Sequence, residues 1–571
     1  MIDKSANPDR LNGESCRKGE GVMMKKHPLV FGFICVVYFT IFCCSPKEEI
    51  GEAVGDTNYE DLVSLFQEWR EFQKPEIVEG VPDYTAAAME KQRAGLEEYQ
   101  NRLSAIDPSS WPVSQQVDYH LVRAEMNGLD FDHRVLRPWS RNPCFYSVYY
   151  RSPSDVPALE GPWRYGTLCL WKYTFPLQDE QYVDFEMHLR AIPKVLEQAK
   201  ENLVEEARDL WFLGIRKKKR ESMFLDDLGR RMGEDHLGLV PIIDQAKAAV
   251  DDFRVWLEEK HKDMTAPSGI GAENYSWYMK NVHLVPYTWE DQLGILNREL
   301  ERSFACLKLE EHSNRDLPRL EPPNSREEYQ LRHDEAVKHF MTFLREKEIM
   351  TLPEYMNDTL KRTVGFIPPD GLRDFFTQVD YHDPLPLRCH GTHWFDLARM
   401  EHEPHPSPIR RVPLLYNIWD SRAEGLATGT EEMMMHAGLL DGRERVRELV
   451  YIMLACRAAR GMGDLKMHSN EFTLEEAVDF GVEWTPRGWM PKEGNTIWFD
   501  EELYLQQPGY GTSYVVGKVH LEKLIADRAQ QVGEKFDLKQ FFDEFHSCGM
   551  IPLSLIRWEM TGLEDEIKHL W

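Results

Sequence analysis

The densest grouping of side chains able to hold a metal or move a proton runs from His382-Asp383 through His390, His393 and Asp396 to His402, Glu403 and His405, with Glu424 downstream. His390 and His393 stand three residues apart in Cys389-His390-Gly391-Thr392-His393-Trp394-Phe395-Asp396. On one helix both imidazoles would face the same side and could share a metal ion. Such an ion needs a third ligand, for which Glu424 and Asp396 are the candidates. The helical zinc signature HExxH also requires a Glu beside its first His, as general base toward metal-bound water; here that neighbour is Gly391. The competing reading is that these are structural or surface histidines in a chain that holds 20 of them.

Three further groupings lie downstream. Glu424 and Glu431, in Glu424-Gly-Leu-Ala-Thr-Gly-Thr-Glu431, are two helical turns apart and project from one face, as part of a site or as a solvated acidic stripe. Asp464 and His468 form an i,i+4 pair in which a carboxylate can orient an imidazole, or a plain surface pair. The segment from Tyr504 through Pro508-Gly509-Tyr510-Gly511-Thr512-Ser513-Tyr514 to Gly517 reads as a Gly-rich turn with three tyrosines. Its glycines permit close backbone approach to a ligand, and a tyrosine hydroxyl can donate to a developing oxyanion. Aromatic core packing would use the same residues.

The elements that must position these groups read as helices. Ser325-Arg-Glu-Glu328 is a capping box followed by Ala336, Val337, Phe340, Met341 and Leu344 at helical spacing. Thr473-Leu-Glu-Glu476 opens another helix, and Asp537 precedes Phe541, Phe542 and Phe545 with Gly549 and Pro552 beyond them. No long alternating strand runs occur, Leu317 to Asn324 and His402 to Pro413 read as loops, and neither a Rossmann fingerprint nor a P-loop is present. The expected fold is therefore mainly α: one large multi-helix domain over about 57–571, in which a split near 320 is allowed but not required. Composition agrees, since 571 residues with 42% hydrophobic and 29% charged side chains exclude disorder, collagen-like repeats and a multi-span membrane protein. A net charge of −28 argues against a nucleic-acid partner. The one basic run, Arg216 to Arg220, reads as a solvated helix face.

Upstream, Met23-Met24-Lys25-Lys26-His27 precedes the apolar stretch Leu29 to Cys44, which ends abruptly at Ser-Pro-Lys-Glu-Glu. A basic start and a short apolar core describe a secretory signal rather than a membrane-spanning helix. The Cys43-Cys44 ending is similar to a bacterial lipoprotein signal, with Cys44 the first choice for lipidation and Cys43 the second; an uncleaved anchor is the alternative. The expected layout is an uninformative polar extension or mis-assigned start over 1–22, a signal over 23–44 and a linker over 45–56. The protein is then exported to the cell envelope and lipid-anchored to a membrane. The six later cysteines lack CxxC spacing, which excludes a cysteine-based zinc module.

In order and spacing these pieces resemble the bacterial family called domain of unknown function 885, a helical family similar to zinc metallopeptidases of the gluzincin type. Glu424 to Glu431 follows in part the family's EGWALYxE, Asp464 to His468 its D-x-x-x-H step, Pro508-Gly509 through Ser513-Tyr514 and Gly517 its PGQA-SYK-G, and Phe536-Asp-Leu through Pro552-Leu553 its ending. Ile270 to Tyr275 and Phe340 to Tyr355 are similar to earlier family regions. The departures fall where the chemistry should be. The family's zinc segment reads HExxPGHH, and the nearest stretch, Leu385 to Trp394, lacks the catalytic Glu in either register. Leu503, Tyr510 and Val515 stand where the family has Arg, Gln and Lys.

The resemblance implies an exported hydrolase acting on peptides or small molecules, with His390, His393 and Glu424 (or Asp396) on zinc and Tyr514 polarising the scissile carbonyl. Loss of the general base removes an effect typically worth about 10²- to 10⁴-fold in rate, unless Glu424, Glu403 or Asp383 serves instead. A second reading is a catalytically inactive descendant that binds a peptide or protein partner at the cell surface without zinc. A third is a non-metal hydrolase built on Asp464, His468 and acidic residues such as Glu431.

Overall fold

Helices begin where a side chain takes over the N–H groups left unpaired in the first turn. Thr473 and Glu476 form a complete reciprocal cap on the Leu474–Trp484 helix, Thr288 and Asp291 do so for Trp289–Ser313, and Asp537 caps Leu538–Ser547. Ser325 caps Arg326–Glu346 as expected, but the Glu328 carboxylate accepts from the Asn324 N–H at 2.9 Å rather than from Ser325. The computed structural model describes residues 58–154, 156, 165–361, 365–368 and 371–570. The signal segment, Cys43 and Cys44 lie outside the described residues.

The fold is mainly α, as the apolar spacing predicts. Among the described residues the sheet content is two short ladders, Ile77–Val78 antiparallel to Val81–Pro82 and Tyr149–Tyr150 parallel to Leu168–Cys169. Residues 58–571 cluster as one compact unit. No helix among the described residues is long and apolar enough to cross a membrane, and the six described cysteines are free thiols.

At the centre lies Val446–His468, a 23-residue helix in which every residue except Arg447 and Lys466 is buried. A helix covered on all sides has no polar face to spare, so its charged residues must find partners inside. Trp289–Ser313, Leu474–Trp484 and Tyr510–Val532 pack around it, and Asp420–His436 lies along Tyr510–Val532. Missing side chains set how closely these helices approach. A Cβ on Gly517 would stand 2.2 Å from the Ser421 carbonyl and 2.7 Å from Gly425 Cα, and one on Gly461 2.8 Å from the Gly511 carbonyl.

A second apolar core, built from Asp179–Asn202, Arg208–Asp235 and Val240–His261, meets the first set of helices at Met467, Tyr504 and Tyr510. Here the reading of Arg216 to Arg220 as a solvated face is corrected in part: Lys219 and Arg220 are exposed as expected, and Lys218 is not. Lys218 is fully buried, donating to the Tyr146 carbonyl at 2.5 Å and pairing with Glu221 at 2.7 Å. Arg216 and Arg220 both reach Glu502, at 2.6 and 2.7 Å, on the Thr496–Gln506 helix. Glu502, remote in sequence, thus pairs with Arg216 and Arg220, while Lys218 is held inside beside its neighbour Glu221.

Candidate binding cleft

Where the two cores meet, a cleft of about 1250 Å³ opens. His390, His393, Glu424, Tyr510 and Tyr514 line it, together with Asp132, Lys217, Asp420 and Arg460. The two histidines do not share a helix. Leu385–His390 ends at Gly391, whose φ of −61° and ψ of 0° start a new helix at Thr392. The ring centroids nevertheless stand 5.1 Å apart, and His393 Nδ1 donates to the His390 carbonyl at 2.6 Å.

His390 is set by an ionic pair from two other helices. Glu431, on Asp420–His436, takes two hydrogen bonds from Arg457 of the central helix, at 2.6 and 2.7 Å. Arg457 Nη2 lies 3.2 Å from His390 Nδ1, and Glu431 Oε1 lies 3.1 Å from the same nitrogen. Burial, together with the Arg457 charge beside it, holds the His390 imidazole well below its ordinary pKa, so the ring is neutral. The other ring nitrogen, Nε2, faces Glu424 Oε2 at 3.8 Å. Glu424 in turn accepts from the Tyr510 hydroxyl at 2.8 Å. Tyr514 closes the group, its ring stacked 6.3 Å from His390 and lying 5.6 Å from the Arg460 guanidinium.

A catalytic zinc needs three protein ligands and a structural one four, with nitrogen and oxygen donors about 2.0–2.2 Å from the ion. Among the described residues no group of three or more His, Cys, Asp or Glu is arranged to hold a metal. The donors that could complete His390 and Glu424 are engaged elsewhere: Glu431 by Arg457, and Asp396 by both Arg422 nitrogens at 2.9 Å and by His546 at 3.2 Å. Arg422 and His546 hold the Asp396 carboxyl well below its usual range despite burial. Residues of the expected zinc set therefore meet in one place but do not converge as ligands. Of the alternative carboxylates, Asp383 pairs with Arg443 at 2.7 Å, and Glu403, half exposed, lies 3.7 Å from Arg399; neither lines the cleft.

Asp464 and His468 stand behind the cleft, not in its wall. Asp464 accepts from the backbone N–H groups of Thr512 at 3.3 Å and Gly509 at 3.5 Å, and burial raises its carboxyl to about 8. His468 Nε2 donates to the Tyr504 carbonyl at 3.0 Å. The pair thus fastens both sides of the Pro508-Gly509 turn. Gly509, at φ +90°, is the last residue of that turn, and the expected Gly-rich loop beyond it is helix from Tyr510 onward. The helical pitch brings Tyr510 and Tyr514 to the same wall.

Sequence reasoning passed over Arg457, Arg460, Asp132 and Asp420. For the arginines a signal existed: two cations inside the otherwise apolar run Leu449 to Gly463 must be paired if that run is buried. Arg460 indeed pairs with Asp500. Asp420 and Asp132 carry no local pattern.

Two solved structures share this architecture. One, described as "a putative lipoprotein of unknown function from Shewanella oneidensis", is 17% identical, covers 88% of this chain and 100% of its own, and superposes with a TM-score of 0.67. The other, "the putative lipoprotein from Colwellia psychrerythraea", is 13% identical, with 88% and 98% coverage and a TM-score of 0.61. At these identities the likeness is one of fold. No curated protein matches the chain. Residues 392–560, from the start of the second histidine helix to the last helices, match the family described as "Bacterial protein of unknown function (DUF885)", so the resemblance read from the motifs holds over that segment.

Proposed function

We propose that this chain is an exported, lipid-anchored cell-envelope protein that receives a peptide in the cleft and does not cleave it through a metal-bound water. The observation that carries this reading is the Glu431–Arg457–His390 cluster. A guanidinium bonded to both Glu431 oxygens and 3.2 Å from His390 supplies positive charge where a zinc ligand set would need to gather negative donors, and it would oppose a nearby dication. The position next to the first histidine holds Gly391, which cannot act as a base. The cleft has room for several residues of extended ligand, and its polar wall is mixed in charge. Export and lipidation are supported by the basic and apolar pattern ending at Cys44, and by structural neighbours described as lipoproteins.

The test pairs metal content with binding on the full chain in detergent. After zinc reconstitution and desalting, mass spectrometry should find far less than one zinc per chain, and binding of a mixed tripeptide library should be unchanged by chelator. Near-stoichiometric zinc that disappears in the His390→Ala/His393→Ala variant would overturn the reading in favour of a metallopeptidase-like enzyme.

A further inference from the structure

One stretch of the cleft wall carries more positive charge than its neighbouring carboxylates balance. Leu213, Lys217 and Arg220 line the cleft from the Arg208–Asp235 helix. With Phe224 they follow one another at spacings of four, three and four residues, which sets all four on one face. Tyr149 and Tyr150, in the short ladder with Leu168–Cys169, lie against that face. The Tyr149 ring stacks on Phe224 with centroids 3.6 Å apart, and Lys217 Nζ stands 5.3 Å from the Tyr150 ring centroid. Arg151, next in the chain, also lines the cleft.

The carboxylates of this region are already engaged. Glu502 is shared by Arg216 and Arg220, at 2.6 and 2.7 Å. Glu221 pairs with Lys218 at 2.7 Å and accepts from the Ser147 hydroxyl at 3.1 Å and the Val148 N–H at 3.2 Å. Lys217, half-buried, has neither an ion pair nor a hydrogen bond among the described residues, only the face of Tyr150. A cation–π contact offsets part of what an ammonium loses on leaving water, but it fills none of its three donors. The Tyr149 hydroxyl reports how closely the cations gather. Burial, with Glu221, raises it to about 12 against the opposing pull of Arg151, Arg220 and Lys217. Arg220 also acts directly on the Lys217 charge. Such influences fade beyond about 8–10 Å, so cations from two elements share one part of the wall, and the ammonium among them lacks an acceptor.

We propose that Lys217 takes a carboxylate of the peptide ligand, in the field of Arg220 and Arg151. An ionised carboxylate is acceptor-only; it supplies the hydrogen bonds that Lys217 does not find inside the chain and balances the local surplus of charge. The basic run Arg216 to Arg220, in a chain of net charge −28, then serves the ligand as well as the fold. The inference rests on the reading of the cleft as a peptide site, and it names the chemistry recognised there: the α-carboxylate of a last residue, or the carboxylate of an acidic side chain.

Calorimetric titration of the full chain in detergent with N-acetyl-trialanine, its C-terminal amide and the C-terminal amide of N-acetyl-Ala-Ala-Glu tests it. The free acid should bind at least about tenfold more tightly than the neutral amide. In Lys217→Met and Lys217→Gln that preference should fall to about twofold or less, with the amide's own affinity unchanged. In Lys219→Met, which removes the same charge from an exposed residue outside the cleft lining, it should persist. Both Lys217 variants should unfold at or above the parental temperature, because no ion pair is broken; this separates lost recognition from lost folding. Binding of the glutamate peptide as tight as that of the free acid would assign the site to carboxylates in general, and binding as weak as that of the neutral amide to peptide carboxyl termini; either supports a carboxylate site. Equal binding of free acid and neutral amide by the parent, or an unchanged preference in both Lys217 variants, overturns it and leaves the peptide cleft standing. Binding of none of the three by a cooperatively folded chain overturns the peptide reading and this inference with it.

Discussion

At the scale of single residues, the chemistry of the cleft is governed by what Arg457 touches. Breaking a buried pair from one side strands the other charge, at about 3–5 kcal/mol. Arg457→Met should therefore lower stability by about that amount in urea titration, since Glu431 is left buried without its two donors. Glu431→Gln/Arg457→Met should recover most of the loss, and failure to recover it would mean that the guanidinium serves the fold mainly through its contacts with His390 and the Tyr514 ring. The histidines themselves were legible, because residue type and a three-residue spacing are visible in any sequence. That Arg457 stands against His390 was not, because the two are 67 positions apart.

At the scale of elements, the cleft depends on two helices that touch through glycine. In Gly517→Ala the new Cβ would meet the Ser421 carbonyl at 2.2 Å and Gly425 Cα at 2.7 Å. Backbone cannot swing aside as a side chain can, so the substitution should lower stability by about 3 kcal/mol and loosen the Tyr510–Val532 helix. Gly294→Ala, with nothing within 4 Å, should instead be neutral or stabilise by up to about 1 kcal/mol through helix propensity. If the two variants melt alike, the close crossing is not a determinant of stability. Asp464→Ala should act locally: with the acceptor for the Thr512 and Gly509 N–H groups gone, hydrogen exchange over 509–513 should quicken while the rest of the helix stays protected. Cap residues made the starts at Arg326, Leu474 and Leu538 readable; the break at Gly391 and the early start at Tyr510 were hidden because glycine signals a turn and a close helix contact equally well.

For the whole molecule, buried titratable groups predict the pH range of greatest stability. Burial lowers His133, His468 and His546 to about 4, His283 to about 3 and His120 to about 2. Their contribution is present above the unfolded value near 6.5 and is lost as pH falls toward 4. Asp132 and Asp464 are raised to about 8, so theirs is full below the unfolded value near 4 and is lost as pH rises toward 8. The histidines outnumber the carboxyls on the acid side, and the carboxyls act alone above 6.5. Melting temperature at constant ionic strength should therefore peak near pH 6.5 and fall in both directions, by calorimetry at pH 4.5, 6.5 and 8.5. A melting temperature that kept rising through pH 8.5 would show that these carboxyls are ionised or solvated in the folded chain.

The sequence by itself determined the mainly α class, the starts of the helices at Arg326, Leu474 and Leu538, and the similarity to the family over residues 392–560. Each of these rests on signals that act within a few residues: caps, apolar spacing, short motifs. Only the tertiary structure decided which polar groups share the cleft, that Lys218 is buried and that Arg216 and Arg220 pair with Glu502, and that Asp464 and His468 support the wall while Asp132 and Asp420 stand in it. The physical reason is that burial and charge pairing belong to contacts across the core, such as Tyr510 on Glu424, 86 residues away. A carboxylate reads the same in sequence whether its partner is an arginine, a backbone amide or a ligand.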